Sequence, residues 1–254
     1  MSKQFAVVLA AIVILFAGIV ALSNHKTQSK TANQSKANSK NSSATLSNHV
    51  QGSSSTGVTL VEYADYQCPY CEQYQPTLNA VTSEFKDQIQ FQFRNFPLVN
   101  VHQNAFAAAR AAEAASLQGK FWEMHDALYV PTNWQSWTVA TDPTTFFSQY
   151  AKQLGLNVKQ FRTDFASSDV NDVINADEAK GTQLGVQGTP TFFLDGKMVT
   201  IANSVPAFQK IIKAEIAKKQ AAKPAASPAT DSMVPNTPDS AAPTATTDAT
   251  NASN

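Results

Sequence analysis

In the first half of the folded region, the spacing of the hydrophobic residues predicts two strands with a helix between them. Residues 58–64 are mostly β-branched or apolar, which predicts a buried strand. Residues 89–94 alternate between apolar and polar side chains, which predicts a half-buried strand. Residues 69–85 are compatible with a helix that starts at Pro69, because proline is preset in φ for the first helical position. This part of the chain predicts a β-α-β unit.

The second half changes to a helical period and then returns to strands. A hairpin is predicted at residues 191–201, followed by a last amphipathic helix at residues 205–217. Before them, helical patterns occur at residues 105–117, 121–129, 143–154, 158–166 and 169–184. The whole pattern predicts an α/β domain over residues 57–219, in which a helical insertion separates the β-α-β half from a β-β-α half.

The N-terminal segment, residues 1–23, contains an uninterrupted run of apolar or small residues at 5–22. That length is sufficient to cross the hydrocarbon of a bilayer as a helix. The run is longer than the core of a signal peptide, which has roughly 7–15 residues. We therefore expect a retained membrane anchor, with a cleaved signal peptide as the alternative.

Two further segments are too polar or too irregular to form a core. Residues 24–56 are rich in Ser, Asn, Gln, Thr and Lys and contain no Asp or Glu, which predicts a flexible tether. Residues 220–254 consist mainly of Ala, Pro, Ser, Thr and Asp without periodicity, which predicts a disordered tail.

The charge of the chain argues against one class of function, but it does not decide on which side of a membrane the domain lies. The 254 residues carry a formal net charge of zero and 15% charged residues, which argues against a nucleic-acid-binding protein. Only Lys3 precedes the apolar run, whereas four lysines follow it within the tether, so the positive-inside rule alone would place the domain in the cytosol. Long domains translocate largely regardless of charge. We therefore expect the domain outside the cytoplasm.

The only two cysteines of the chain, Cys68 and Cys71, are separated by Pro69 and Tyr70. Cys68 falls at the predicted helix N-terminus, where unpaired amide groups and the helix dipole stabilise a thiolate. Cys71 lies one turn deeper and is expected to stay protonated. The spacing predicts a redox pair in which Cys68 exchanges with a partner and Cys71 resolves the mixed disulfide.

Two other interpretations of the cysteine pair are weaker. A zinc site would need two more ligands, and the four histidines of the chain are not paired at ligand spacing. A purely structural disulfide across so short a loop would contribute little through loop entropy.

The order of the elements around this pair resembles the thioredoxin fold, and the helical insertion resembles the DsbA-like branch of the thiol-disulfide oxidoreductases. Residues 62–67 resemble the strand that leads into the active site of that family, and Pro76 stands where the family has a helix-kinking proline. Residues 119–125 resemble the insertion of the membrane-tethered, BdbD-like members. Residues 188–193 match the loop that contains the cis-proline of the family. The resemblance covers residues 57–219.

The resemblance implies roles for individual residues. Thr189 and Pro190 are expected to form a cis bond beside the cysteines and to bind an extended client there. Pro69 and Tyr70 are expected to tune the reduction potential. Glu62, six residues before Cys68, stands where the family has a glutamate that exchanges a proton with the deeper thiol. An edge position of Glu62, facing water, is the alternative.

Four aromatic or heteroaromatic residues of the insertion have less specific patterns. His125 and Trp122 are predicted to be core residues of the second inserted helix. Trp134 and Trp137 lie in the connection at residues 131–142, which is long for a bare loop. They are compatible equally with a client-binding groove and with packing against the insertion.

The function implied by the resemblance is that of a membrane-tethered, extracytoplasmic, monomeric oxidoreductase without cofactor or metal. It would donate the Cys68–Cys71 disulfide to exported proteins with free cysteines and be reoxidised by a quinone-coupled membrane protein of the DsbB or VKOR type. The alternatives are a disulfide isomerase or reductase that uses the same pair, a client-binding chaperone module, and a cytosolic redox protein.

Overall fold

The computed structural model describes residues 45–222, which form a five-stranded sheet surrounded by helices. The strand order is β1-β3-β2-β4-β5, with β2 parallel to β3 and the other neighbouring pairs antiparallel. The strands are β1 His49–Gln51, β2 Val58–Ala64, β3 Ile89–Asn95, β4 Thr191–Leu194 and β5 Lys197–Val199. The strand that leads to Cys68, β2, is therefore the central strand.

Six of the described helices lie between β3 and β4, and together they form the inserted block. The helices are α1 Pro69–Glu84, α2 Ala105–Ser116, α3 Phe121–Tyr129, α4 Pro131–Trp137, α5 Thr144–Gln153, α6 Val158–Phe165, α7 Ser168–Gln183 and α8 Val205–Ala222. The predicted β-α-β half, helical insertion and β-β-α half are confirmed.

Two main clusters of buried side chains form the core. One joins the sheet to α1 and α8, with Leu60 and Phe91 from the strands and Phe208 from α8 among its members. The other lies inside the inserted helices and contains both Cys68 and Cys71. Burial of apolar surface in the second cluster thus attaches the insertion directly to the cysteine pair.

The predicted tether extends too far, because β1 lies within residues 24–56 and pairs with β3. Polar residues of this segment are buried against partners that are distant in the chain. His49 Nε2 donates to Glu113 Oε1 at 2.8 Å, and Ser47 Oγ donates to Asp177 Oδ2 at 2.5 Å. The polar composition of the segment predicts that Ser47 and His49 face solvent. In the structure, hydrogen bonds to residues that are distant in the chain make their burial favourable.

The predicted connection at residues 131–142 contains a helix, α4, which is a second correction. Pro131 starts α4 at the position where proline is favoured. Trp137 is fully buried at its end and donates its Nε1 hydrogen to Leu128 O at 2.9 Å. Packing of Trp137 therefore fixes a short helix that the polar sequence of the segment does not predict.

The predicted anchor at residues 5–22, most of the tether and the tail beyond residue 222 lie outside the described residues. Among residues 45–222, the helices are all too short or too polar to span a membrane. The last helix, α8, continues to Ala222, five residues beyond its predicted end.

Candidate active site

Cys68 caps the N-terminus of α1 in an extended conformation, with φ −70° and ψ 123°. Its carbonyl oxygen accepts the first helical hydrogen bond, from Glu72 N at 3.1 Å. Pro69 follows at the first helical position, where its missing amide hydrogen leaves no donor unpaired. The Cys68 thiol consequently lies where the free amides of the first turn converge, as the sequence predicts.

The surroundings of Cys68 favour its thiolate. Hydrogen bonds lower its pKa from 9.0 to about 6, the largest contribution coming from the Cys71 thiol, with smaller ones from the Thr189 side chain and the amides of Cys71 and Tyr70. Burial of Cys68 opposes this effect without cancelling it. At neutral pH the reduced form of the pair therefore carries a thiolate on Cys68.

Cys71 has the opposite tendency. It is 1% exposed, and burial raises the pKa of its thiol well above 9.0, with further increases from its hydrogen bond to Cys68 and from the charge of Glu62. The buried hydroxyl groups of Tyr66 and Tyr129 lie in the same region, and burial raises both of their pKa values as well. The pair thus consists of one acidic thiol and one buried, protonated thiol.

Glu62 lies in the middle of β2, opposite Phe93 on one neighbouring strand and Phe192 on the other. It is 2% exposed, which contradicts the alternative of an edge residue facing water. Burial, followed by the charge of Cys68, raises the pKa of Glu62 from 4.5 to about 8. Its carboxyl group is therefore protonated at neutral pH and able to exchange a proton near pH 8.

The loop before β4 reaches the cysteine pair from the other side. The Thr189–Pro190 bond is cis, as predicted, and the Cys68 thiol donates to Thr189 O at 3.3 Å. The Thr189 hydroxyl is buried and makes no hydrogen bond to any residue between 45 and 222 while Cys68 is protonated. It is therefore free to donate to Cys68 once that thiol loses its proton.

The two residues between the cysteines face solvent. Pro69 is exposed, and Tyr70 leaves 66% of its surface accessible. Both residues are therefore accessible from solvent.

Sequence reasoning missed Asp65, which organises the turn between β2 and α1. Asp65 is 1% exposed, and its Oδ1 accepts a hydrogen bond from Gln67 N at 2.7 Å. Its Oδ2 accepts from Leu98 N at 2.9 Å and contacts His102 Nδ1 at 2.7 Å. An aspartate whose side chain accepts a hydrogen bond from the amide two residues later is common in turns, so this contact has a local signal. The contacts to Leu98 and His102 come from the loop after β3 and cannot be predicted from the sequence around Asp65.

Gln67 and Asn104 extend this support, and sequence reasoning missed them too. Gln67 Oε1 accepts a hydrogen bond from Asn104 N at 2.6 Å, and Gln67 Nε2 donates to Thr138 O at 2.8 Å. The active-site turn is thereby fixed to the start of α2 and the end of α4, so the insertion positions the cysteines as well as burying them.

The four aromatic or heteroaromatic residues that the sequence singled out all pack in or against the core of the insertion. His125 is 1% exposed, and burial lowers its pKa to about 3, so it is neutral. Its Nδ1 lies 3.1 Å from Tyr66 Oη, and Gln75 Nε2 donates to its Nε2 at 2.9 Å. Trp134 donates its Nε1 hydrogen to Tyr66 O at 2.8 Å, which supports the peptide just before the cysteines.

Within residues 45–222, no three His, Cys, Asp or Glu side chains are grouped so that they could hold a metal ion. The described histidines are engaged elsewhere: His49 pairs with Glu113, His102 with Asp65, and His125 with Tyr66 and Gln75.

The chain belongs to the thioredoxin family, because a family model described as Thioredoxin matches residues 44–214. Its fold is that of the DsbA-like thiol-disulfide oxidoreductases, and the expectation of an oxidoreductase is confirmed. A thioredoxin-like oxidoreductase from Silicibacter pomeroyi is 26% identical, with a TM-score of 0.55 over 66% of this chain and 91% of that one. BdbD from Bacillus subtilis is 21% identical, with a TM-score of 0.56 over 66% of this chain and 92% of that one.

The curated relatives are much longer proteins. A protein named Na(+)/H(+) antiporter NhaA 1 from Mycolicibacterium gilvum is 36% identical over 151 residues, which are 59% of this chain and 23% of that protein. The chain therefore spans less than a quarter of the length of that relative.

Proposed function

We propose that the chain introduces disulfides into exported proteins through the Cys68–Cys71 pair. The observation that carries this proposal is the opposed acidity of the two thiols, since the pKa of Cys68 falls to about 6 and that of Cys71 rises well above 9.0. Stabilising the Cys68 thiolate stabilises the reduced pair, so the disulfide form is a strong electron acceptor.

In the first step a client thiolate attacks Cys68 Sγ of the oxidised pair. The Cys68–Cys71 bond breaks, a client–Cys68 disulfide forms, and Cys71 departs as a thiolate in a buried environment. Burial, which does not require the Cys68 thiolate, is the largest cause of the raised pKa of Glu62, so Glu62 is the nearby acid that can transfer a proton to Cys71.

In the second step another client thiolate attacks the client sulfur of the mixed disulfide. The client disulfide forms, and Cys68 leaves as a thiolate. A leaving thiol of low pKa departs faster, so the pKa of about 6 for Cys68 favours this release. Two electrons pass from the client to the pair, and the enzyme is left reduced.

The proposed location is outside the cytoplasm, with the domain tethered by the apolar run at residues 5–22. The antiporter relatives support a site of action at a membrane, because a similar segment of 151 residues forms part of a protein named Na(+)/H(+) antiporter NhaA 1. A quinone-coupled membrane protein of the DsbB or VKOR type would accept the electrons of the reduced pair and regenerate the disulfide.

Equilibration of the full-length chain with a series of glutathione buffers tests the direction of exchange. We expect a reduction potential well above that of thioredoxin, which is about −270 mV. A potential near or below that value would contradict the oxidase and favour a reductase. The Cys68→Ser variant provides the control against a chaperone, because a client-binding module would keep its effect without the thiol.

A further inference from the structure

A cleft of about 340 Å³ lies beside the cysteine pair, between α1 and the junction of α3 with α4. From α1 it is lined by Glu72, Gln75 and Asn79, and from the other side by Asp126 and Tyr129. The mechanism proposed above does not use this cleft.

The charged groups of the cleft are all negative. Glu72 and Asp126 line it, and neither forms an ion pair with any residue from 45 to 222. Burial, followed by the charge of Glu123, raises the pKa of Asp126, as expected for a carboxyl group without a positive partner. Glu123 itself is paired with Lys120 at 2.7 Å. The two carboxyl groups that line the cleft thus have no positively charged partner among residues 45–222.

Gln75 adds a hydrogen-bond acceptor to the cleft wall. Its side chain is 8% exposed, and its Nε2 donates to Asn79 Oδ1 at 3.1 Å and to His125 Nε2 at 2.9 Å. No donor to its Oε1 occurs among residues 45–222. A lysine or arginine side chain would supply both the positive charge and the N–H donors that these three residues lack.

The position of the cleft relative to Cys68 suggests which molecule brings that cation. Glu72 lies one turn after Cys68 on α1, about 6 Å along the helix axis. An extended polypeptide advances about 3.3 Å per residue. A client joined to Cys68 could therefore place a residue about two to four positions from its cysteine at the mouth of the cleft.

We infer that the cleft binds a lysine or arginine side chain of the client, so that the enzyme prefers clients with a basic residue near the reactive cysteine. The apolar surfaces of Pro76 and Val130, which also line the cleft, would contact the alkyl stem of that side chain. This inference rests on the proposed function, because it names the substrate class of the same thiol pair.

The kinetic test uses three two-cysteine peptides that differ only in Lys, Gln or Glu at the third residue from the first cysteine. For the oxidised full-length chain at low ionic strength, we expect a Lys-to-Gln ratio of rate constants of about three to ten, with the Glu peptide slowest. In the Glu72→Gln/Asp126→Asn double variant the ratio should fall to about one. Asp172→Asn is the matched control, since it removes one exposed carboxylate on α7, and its ratio should equal that of the wild type.

A binding measurement keeps the cleft testable apart from redox activity. In ¹⁵N-labelled full-length protein, the side-chain amide resonances of Gln75 should shift saturably with a Lys peptide in which serine replaces both cysteines. The same titration of the double variant should give a much smaller shift, and a Gln peptide should give little shift with either protein.

The outcomes separate the two proposals. If none of the peptides is oxidised, the proposed function is wrong, and the resonance titration alone decides whether the cleft binds a cation. Equal shifts with the Lys and Gln peptides, or a Lys preference that persists in the double variant, would overturn the inference. A shift with Mg²⁺ or Ca²⁺ but none with the Lys peptide would also overturn it, because the cleft would then be a metal-ion site.

Discussion

The Cys68 thiol lies 3.3 Å from the carbonyl oxygen of Thr189, although the two residues are 121 positions apart in the chain. The same residue presents a buried hydroxyl that has no partner within residues 45–222 while Cys68 is protonated. Thr189 therefore offers an acceptor to the thiol and a donor to the thiolate. The loop before β4 contributes in this way to the acidity of Cys68 as well as to the predicted client contact.

Replacing Thr189 with valine should raise the pKa of Cys68. The Thr189→Val variant keeps the shape and the backbone carbonyl but removes the hydroxyl donor, so the pKa of Cys68 should increase by about 1 from its value of about 6. The pH dependence of the ultraviolet thiolate absorbance measures this change. Thr145→Val, at an exposed position of α5, is the matched control. An unchanged pKa in Thr189→Val would show that the hydroxyl does not reach the thiolate.

Replacing Glu62 with glutamine should change how the stability of the reduced protein depends on pH. The folded-state pKa of Glu62 is about 8, above its ordinary value of 4.5, so the folded chain binds the proton more tightly than the unfolded chain. The resulting stabilisation is complete below pH 4.5 and is lost as the pH rises to about 8. Relative to wild type, Glu62→Gln should gain about 3 to 5 kcal/mol between these limits. Urea unfolding at several pH values measures the difference, and parallel curves would contradict the buried-acid assignment.

The same substitution should slow disulfide transfer. Without Glu62 the departing Cys71 thiolate loses its nearby proton donor, so stopped-flow reduction of the oxidised Glu62→Gln protein should be about tenfold to a hundredfold slower at pH 7. The wild-type advantage should shrink as the pH rises and Glu62, whose pKa is raised mainly by burial, loses its proton. A ratio of wild-type to variant rates that stays constant with pH would assign Glu62 no part in proton transfer.

Replacing Cys71 with alanine should trap the client. The client disulfide on Cys68 can then no longer be resolved by the buried thiol, so a mixed disulfide should accumulate when Cys71→Ala is mixed with a peptide disulfide. Non-reducing electrophoresis and intact mass measure the adduct. Cys68→Ala should form no comparable adduct, because Cys71 is 1% exposed and its pKa is well above 9.0. An equal yield from both variants would contradict the assignment of Cys68 as the exchanging thiol.

Replacing Asp177 with asparagine should destabilise the domain strongly. Asp177 is fully buried and accepts hydrogen bonds from both the amide and the hydroxyl of Ser47, from Arg94 Nη1 at 2.9 Å and from Asn95 N at 3.0 Å. The substitution leaves the Arg94 charge without its partner, at a cost of about 3 kcal/mol in the free energy of unfolding. Asp172→Asn on the exposed face of α7 should change that free energy by less than about 0.5 kcal/mol. Similar urea midpoints for the two variants would show that Asp177 does not join β1 to the domain.

The elements whose signals are local could be predicted from the sequence. The apolar run of β2, the proline that starts α1 and the two-residue spacing of Cys68 and Cys71 together predicted the strand, the helix and the acidic thiol at its N-terminus. The periods of the inserted helices placed most of their boundaries within two residues of those in the structure. These features depend on residues within one or two helical turns along the chain, so a short stretch of sequence is sufficient to predict them.

Features that depend on distant partners could not be predicted from the sequence and are visible only in the folded domain. The sequence predicts Ser47 and His49 to be part of a polar tether. In the structure, both are buried because they form hydrogen bonds with Asp177 and Glu113. Glu62 could face water or the core, and only the strands on both sides of β2 bury it and raise its pKa. The cost of burying a polar group depends on which atoms surround it, and those atoms come from elements that are far apart in the chain.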